Sequence, residues 1–221
     1  LSGRGSGFLS PDYSRYKESG NPDTETSLRV PYYFNLAPDR DLLTALTFMS
    51  SRGVIYEGKY RQLLPQLNDS NTSKIKIETK YLPEDKITNL KRWLIDFSED
   101  IDWSDKVNLS ARFNRVSDSK FFEEIDRQNT DLEKLISFVK FSYIDNDDNL
   151  SLHILTEDEQ SVNSGISTYT KSLEASASKT FNAESKMPIQ LNLVRTKFDH
   201  DIPTKDSGTR THGNVSVSKK L

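Results

Sequence analysis

Hydrophobic and polar positions alternate with a period of two along most of the chain. In Lys74-Ile75-Lys76-Ile77-Glu78-Thr79-Lys80-Tyr81, the residues Ile75, Ile77, Thr79 and Tyr81 fall on one side, and Lys74, Lys76, Glu78 and Lys80 on the other. That spacing predicts a strand with one wet face. Val107, Leu109, Ala111 and Phe113 alternate in the same way with Asn108, Ser110, Arg112 and Asn114, and Val54, Tyr56, Gly58 and Tyr60 do so with Ile55, Glu57, Lys59 and Arg61. Further strands are predicted near residues 5–14, 26–36, 42–50, 91–101, 132–144, 149–157, 187–198 and 208–218. Helix is expected to be slight. Phe121-Phe122-Glu123-Glu124-Ile125-Asp126 suits a single turn within a loop, and the Ser/Ala-rich stretch Lys171–Ala183 suits either helix or strand.

The segments between strands tend to alternate in length. Short turns are expected at Ala37–Asp41, Asp102–Asp105 and Asp145–Asp148, and long polar loops near 15–25, 84–90, 117–131 and 158–168. Antiparallel strands of about ten residues, joined alternately by short turns and long loops, are the layout of an outer-membrane barrel. Two connections break the rule, since Ser50–Gly53 is short and Leu64–Ser73 is long where the opposite is expected. A soluble β-sandwich or β-solenoid is the competing architecture.

Composition narrows the choice. Only 34% of the 221 residues are hydrophobic and 29% are charged, too little apolar material for a core buried on all sides, while 11 Phe, 9 Tyr and 2 Trp are too many aromatics for a disordered chain. Low mean hydropathy does not exclude a membrane barrel, because only alternate residues of its strands meet lipid. No run of about 18 apolar residues occurs, so no transmembrane helix is predicted. The net charge of −3, with no basic stripe, argues against nucleic acid as a partner. No Cys is present, so thiolate metal sites and disulfides do not arise. Leu1 opens the chain with no signal-peptide pattern behind it, which suggests a processed product or an internal fragment.

Candidate chemistry is sparse. His153, His200 and His212 share no metal-ligand spacing, and His200 between Asp199 and Asp201 suits a solvated loop. Asp145-Asn146-Asp147-Asp148-Asn149 begins like a calcium loop, but it lacks the central Gly and has Thr156 where a bidentate Glu is needed, so a tight turn is expected. Gly3-Arg4-Gly5-Ser6-Gly7 lacks the flanking strand, helix and Lys-Ser/Thr pair of a phosphate cradle. Neighbouring acids such as Glu123 and Glu124 are expected by chance among 33 acidic residues. Nothing points to catalysis, and no cofactor is expected.

The prolines are more informative. Pro11 falls within the first predicted strand and Pro31 within the second. Proline cannot donate to a ladder, so two in consecutive strands suggest an edge, a bulge or deliberately weak pairing, unless both lie at turns. Tyr32, Tyr33 and Phe34 follow Pro31 and suit an interfacial aromatic girdle or ordinary cross-strand packing.

Several blocks in order resemble a known family. Gly7-Phe8-Leu9-Ser10-Pro11, Pro31-Tyr32-Tyr33-Phe34-Asn35-Leu36-Ala37-Pro38-Asp39-Arg40-Asp41, and Ser51-Arg52-Gly53-Val54 with Glu57, Tyr60 and Arg61 open the series. Tyr81-Leu82-Pro83-Glu84-Asp85-Lys86, Arg92-Trp93, Phe113-Asn114-Arg115-Val116-Ser117-Asp118 with Phe121-Phe122, and Gly208-Thr209-Arg210-Thr211-His212 continue it. Together they resemble the start of the barrel domain of the LptD family of lipopolysaccharide-assembly outer-membrane proteins, also called organic solvent tolerance proteins. Residues 158–186 match no pattern of that family. The resemblance implies an all-β fold: the first antiparallel up-and-down strands, about ten or eleven, of a large outer-membrane barrel that does not close alone. It places the family's periplasmic jelly-roll domain and later strands outside this sequence.

The same resemblance implies transport of lipopolysaccharide to the outer leaflet of a Gram-negative outer membrane, without catalysis. The partners it implies are lipopolysaccharide, a lipoprotein that plugs the barrel, periplasmic bridge proteins acting through the jelly-roll domain, and the membrane lipids. Pro11 and Pro31 correspond to the prolines that weaken a lateral seam beside the first strand. Lys74, Lys76, Glu78 and Lys80 are then expected to face the lumen. A passive porin, which needs no prolines in paired strands, or a soluble β-rich binding or adhesion module, which would partition into buffer without detergent, is the alternative.

Overall fold

The computed structural model describes residues 5–17, 24–64, 73–127, 132–162, 169–200 and 204–219. The described residues are all-β, with thirteen strands among them: β1 (Gly7–Phe8), β2 (Asp12–Lys17), β3 (Thr24–Ala37), β4 (Arg40–Met49), β5 (Gly53–Leu63), β6 (Lys74–Asp85), β7 (Leu90–Ser104), β8 (Val107–Val116), β9 (Lys134–Asp145), β10 (Leu150–Ser161), β11 (Tyr169–Phe181), β12 (Ile189–His200) and β13 (Gly208–Val217). The order in the sheet is the order in the chain, except that β1 and β2 both pair with β3. This is an antiparallel up-and-down sheet.

Most predicted strands are found, longer than their alternation suggested. The first is split in two, and Lys171–Ala183 is largely the strand β11, which gives more strands than the ten or eleven expected. The connection near 84–90 is not a long loop: β6 runs to Asp85 and β7 starts at Leu90, leaving the turn 86–89. Asn89 takes a left-handed φ of 58° there, as Asn149 does at φ 50° in the turn after β9, a conformation Asn tolerates better than most residues. The expected 145–148 turn is present, with Asp145 accepting the backbone N–H groups of Asp147 and Asp148 at 3.2 and 3.3 Å. Gly3, Arg4 and Asp201, and most of the 64–73, 15–25 and 158–168 loops, lie outside the described residues.

The chain divides into two compact units. One comprises residues 1–64, 74–98 and 113–132, the other 65–73, 99–112 and 133–221. In the first, the registers Pro31↔Ala45, Ala45↔Glu57 and Glu57↔Lys80 carry one face from β3 to β6. That face holds Arg29, Asp41, Glu57, Lys59, Arg61, Lys76, Glu78 and Lys80, whereas the other holds the exposed Leu28, Phe34, Leu46, Phe48, Tyr56 and Tyr81. Large apolar side chains left exposed along one whole face suit lipid and not water.

The second unit repeats the division. Phe141, Ile154, Leu152, Leu173, Leu191, Leu193 and Val215 share one exposed apolar face, linked by pairs such as Ile154↔Phe141 and Leu191↔Val215. On the opposite face His153 lies 3.1 Å from the Ser142 hydroxyl, and the Thr196 hydroxyl donates to Glu174 at 2.8 Å.

Candidate functional site

The polar face of the first unit is laced by ion pairs between neighbouring strands. Arg29 donates to Glu57 at 2.9 Å and lies 3.5 Å from Asp12, while the Thr47 hydroxyl also donates to Glu57. Arg61 grips Asp41 with two bonds of 2.9 and 2.8 Å, and the Tyr33 hydroxyl reaches the same carboxylate at 3.4 Å. Lys59 and Lys76 lie 3.3 and 3.8 Å from Glu78. Lys80 pairs with Asp126. Lys74 lies opposite Leu63 on the same face. The four residues Lys74, Lys76, Glu78 and Lys80 thus stand together, with Ile75, Ile77 and Tyr81 turned away.

The aromatic trio after Pro31 does not stay together. Tyr32 and Phe34 lie on the apolar face with ring centroids 4.5 Å apart, and Phe8 meets Tyr32 edge-on at 4.9 Å. Tyr33 projects to the polar face, where its hydroxyl finds Asp41, so it is no part of a lipid-facing girdle. The reason is the pleat, since adjacent residues of a strand must face opposite ways.

Residues 117–127 fold back onto the sheet. A wide helical turn, Phe122–Asp126, buries Phe122 and Ile125, with Phe121 buried just ahead of it and its ring 5.9 Å from that of Phe122. Arg92, only 2% exposed, donates to Asp118 at 3.0 and 2.6 Å, to Glu124 at 2.5 Å and to Asp85 at 3.2 Å. Arg52 donates to Asp85 at 2.7 Å and lies 3.2 Å from Glu124. Arg127 pairs with Glu25 and stacks over the Tyr16 ring, its guanidinium carbon 4.3 Å from the centroid. Burying so many charges is tolerable only because each has partners, and removing one partner strands the others. Burial pushes the Asp118 carboxyl up, but bonds from Arg92 and the Ser117 hydroxyl outweigh it and hold the group below its ordinary value.

Sequence patterns gave no warning of this network. Glu124, dismissed as one of many neighbouring acids, is a member, while Glu123 beside it is exposed. The usable signal lay elsewhere: Arg52, Asp85, Arg92, Asp118, Phe121 and Phe122 all belong to the blocks that carried the family resemblance, and the fold brings most of them to one place.

The first strand is interrupted around Pro11. Gly7↔Tyr33 and Phe8↔Tyr32 pair in one register, Asp12↔Arg29 and Tyr13↔Leu28 in another displaced by one residue, and between them Ser10 and Pro11 face Val30. This is a β-bulge, and it reverses the alternation. Phe8 and Tyr13, of opposite parity, thereby share the apolar face, and Asp12 reaches Arg29 on the polar one. Leu9 N–H donates to the Pro31 carbonyl at 3.1 Å. In an antiparallel ladder a residue's N–H and C=O point the same way, so the donor that Pro31 lacks would have faced Leu9.

Residues 90–221 match the family model described as LptD, LPS transport system D. The chain belongs to the LptD family. LptD proteins are transport proteins of the Gram-negative outer membrane and not enzymes. The LPS-assembly protein LptD of Methylococcus capsulatus is 36% identical over 123 residues, covering 56% of this chain and 11% of that protein. The proteins of the same name from Cupriavidus pinatubonensis and Burkholderia cenocepacia are 34% and 32% identical over 124 and 130 residues, covering 56% and 58% of this chain and 14% and 15% of theirs. The chain therefore spans a minor part of the LptD relatives it matches. The LptD model takes in Arg92, Asp118 and Glu124, whereas Pro11, Pro31 and Lys74–Lys80 precede it.

Proposed function

We propose that this chain forms the first strands of a barrel that delivers lipopolysaccharide to the outer leaflet, and that lipid leaves beside its first strand. Family membership supports the substrate. The reading of the exit rests on the first strand itself, whose ladder to β3 is broken by the Ser10–Pro11 bulge and lacks the donor of Pro31. A missing ladder bond is worth about 0.5–1.5 kcal/mol in net terms, and more where lipid offers no substitute partner. The weakness lies between the first strand and β3, which leaves the first strand pliable beside the exit.

In this reading the apolar face of each unit meets lipid, and Lys74, Lys76, Glu78 and Lys80 face an aqueous lumen. A plugging lipoprotein and the periplasmic bridge proteins are the expected partners. Replacing both prolines with alanine in the full-length protein tests the exit. Restored donors should firm the first strand, slow the appearance of lipopolysaccharide at the cell surface and raise sensitivity to hydrophobic antibiotics. Delivery at the normal rate by the double variant would reduce both prolines to structural punctuation.

A further inference from the structure

One stretch of the polar face carries more positive charge than its own acids offset. Arg61 and Lys76 stand directly opposite each other on β5 and β6, and Lys74 follows two residues away on the same face. Like charges directly opposite in a sheet are destabilising. Asp41 is already committed to Arg61 by two bonds of 2.9 and 2.8 Å. Glu78, 3.8 Å from Lys76, lies closer to Lys59, at 3.3 Å. Lys74 has no acidic partner among the described residues.

These cations border a cleft of about 750 Å³ whose other lining includes Leu9, Tyr33 and Leu63, together with Asp41 and the pair Arg40 and Asp39, 3.6 Å apart, which leaves the cations in excess. That volume is within the range of small-molecule sites. The free edge of the Arg61 guanidinium and the ammonium groups of Lys74 and Lys76, bordering the same cleft as an apolar wall, suit an oxyanion attached to hydrocarbon. A free inorganic anion would leave the apolar wall unused, and a neutral lipid would leave the opposed cations uncompensated. We propose that this cleft binds the phosphorylated head of an anionic amphiphile, with Arg61, Lys74 and Lys76 on the phosphate and Leu9, Tyr33 and Leu63 against the adjoining methylenes. The assignment rests on the lipopolysaccharide reading above and adds to it a holding point beside the first strand.

The test uses the full-length protein purified in detergent, with a photoreactive benzoylphenylalanine at position 63, in the parent and in the double variant Lys74→Gln/Lys76→Gln. Heat-modifiable migration establishes that both are folded. Bisphosphorylated lipid A should form an adduct with the parent. Dephosphorylated lipid A, or the double variant, should give about tenfold less. Excess inorganic phosphate should leave most of the adduct in place. Equal labelling by the two lipids, equal labelling of the double variant, or no adduct at all would overturn the site, and complete displacement by inorganic phosphate would make it a free-phosphate site instead. Surface lipopolysaccharide, followed in cells in parallel, separates the two claims. Normal delivery with no phosphate-dependent adduct removes the cleft and keeps the transport reading. Delivery that persists when the protein is depleted removes the transport reading.

Discussion

Arg92 and Asp118 meet fork to fork: Nε and Nη2 of the arginine donate to the two carboxylate oxygens at 3.0 and 2.6 Å. Through this pair the residues after β8 are fastened to β7, and through Asp85 and Glu124 the same guanidinium ties in β6 and the helical turn. One side chain therefore holds three parts of the first unit. Its geometry is bidentate, which adds direction as well as strength.

Removing Arg92 should undo this. In Arg92→Met, Asp85 keeps Arg52, but Asp118 loses its partner, and the 117–127 segment should be destabilised by about 3–5 kcal/mol, the cost of breaking a buried pair. Asp118→Asn keeps the shape and one donor contact and should cost less, about 1–3 kcal/mol. Limited proteolysis of folded full-length protein checks both, with cleavage near residue 120 rising more in the Arg92 variant.

Acid should release the segment in a definite window. The Asp118 carboxyl titrates below its ordinary value in the folded protein, so its contribution is fully present above the unfolded value of about 3.9 and fades as pH falls through the lower folded value. Cleavage near residue 120 by an acid-active protease should stay flat from neutral pH down to about 5, then rise below about 4. In Asp118→Asn the part of that rise due to this residue should be missing.

Positions 76 and 77 should behave oppositely although adjacent. Ile77 pairs with Tyr60 on the apolar face and Lys76 with Arg61 on the polar one. Ile77→Arg should cost about 2–4 kcal/mol if it lies near the membrane midplane, and Lys76→Ala little. Single cysteines at the two positions should label unequally with a water-soluble maleimide, faster at 76, and the reverse order would invert the sidedness proposed above.

Inserting one residue beside Pro11 should harm the protein more than deleting Pro11. Phe8 and Tyr13 share the apolar face because one residue is extra between their two registers. Deleting Pro11 joins those registers into one ladder with both side chains still on that face, whereas a second extra residue beside a bulge of unchanged size turns one of them to the polar side. Pro11→Ala keeps the residue count and should assemble normally. The yield of heat-modifiable full-length protein in outer membranes compares the three directly.

Much of the fold was legible because a strand records its two faces locally, at every second position. Lys74–Tyr81 shows this well, since its alternation alone separates the residues that the sheet then places on opposite sides. β11 was ambiguous because Ser and Ala satisfy neither a helical nor a strand face strongly, and its neighbours β10 and β12 decide it by pairing. The prolines suggested an edge, a bulge or weak pairing without choosing among them, because alternation on either side of Ser10–Pro11 looks regular and only the partner strand reveals that the register has moved.

By itself the sequence determined the all-β class, the lipid-compatible face and the family, because each is written in residue types at short spacing or in order along the chain. Tertiary structure alone decided which charges meet. Glu25 and Arg127 pair across 102 positions, and Arg92 gathers Asp85 from the end of β6 and Asp118 and Glu124 from the 117–127 segment. A carboxylate next to a guanidinium in water is worth little, and its value arises on burial, where an unmatched partner is costly. Burial here depends on the 117–127 segment lying over the sheet, a long-range event that no local spacing encodes.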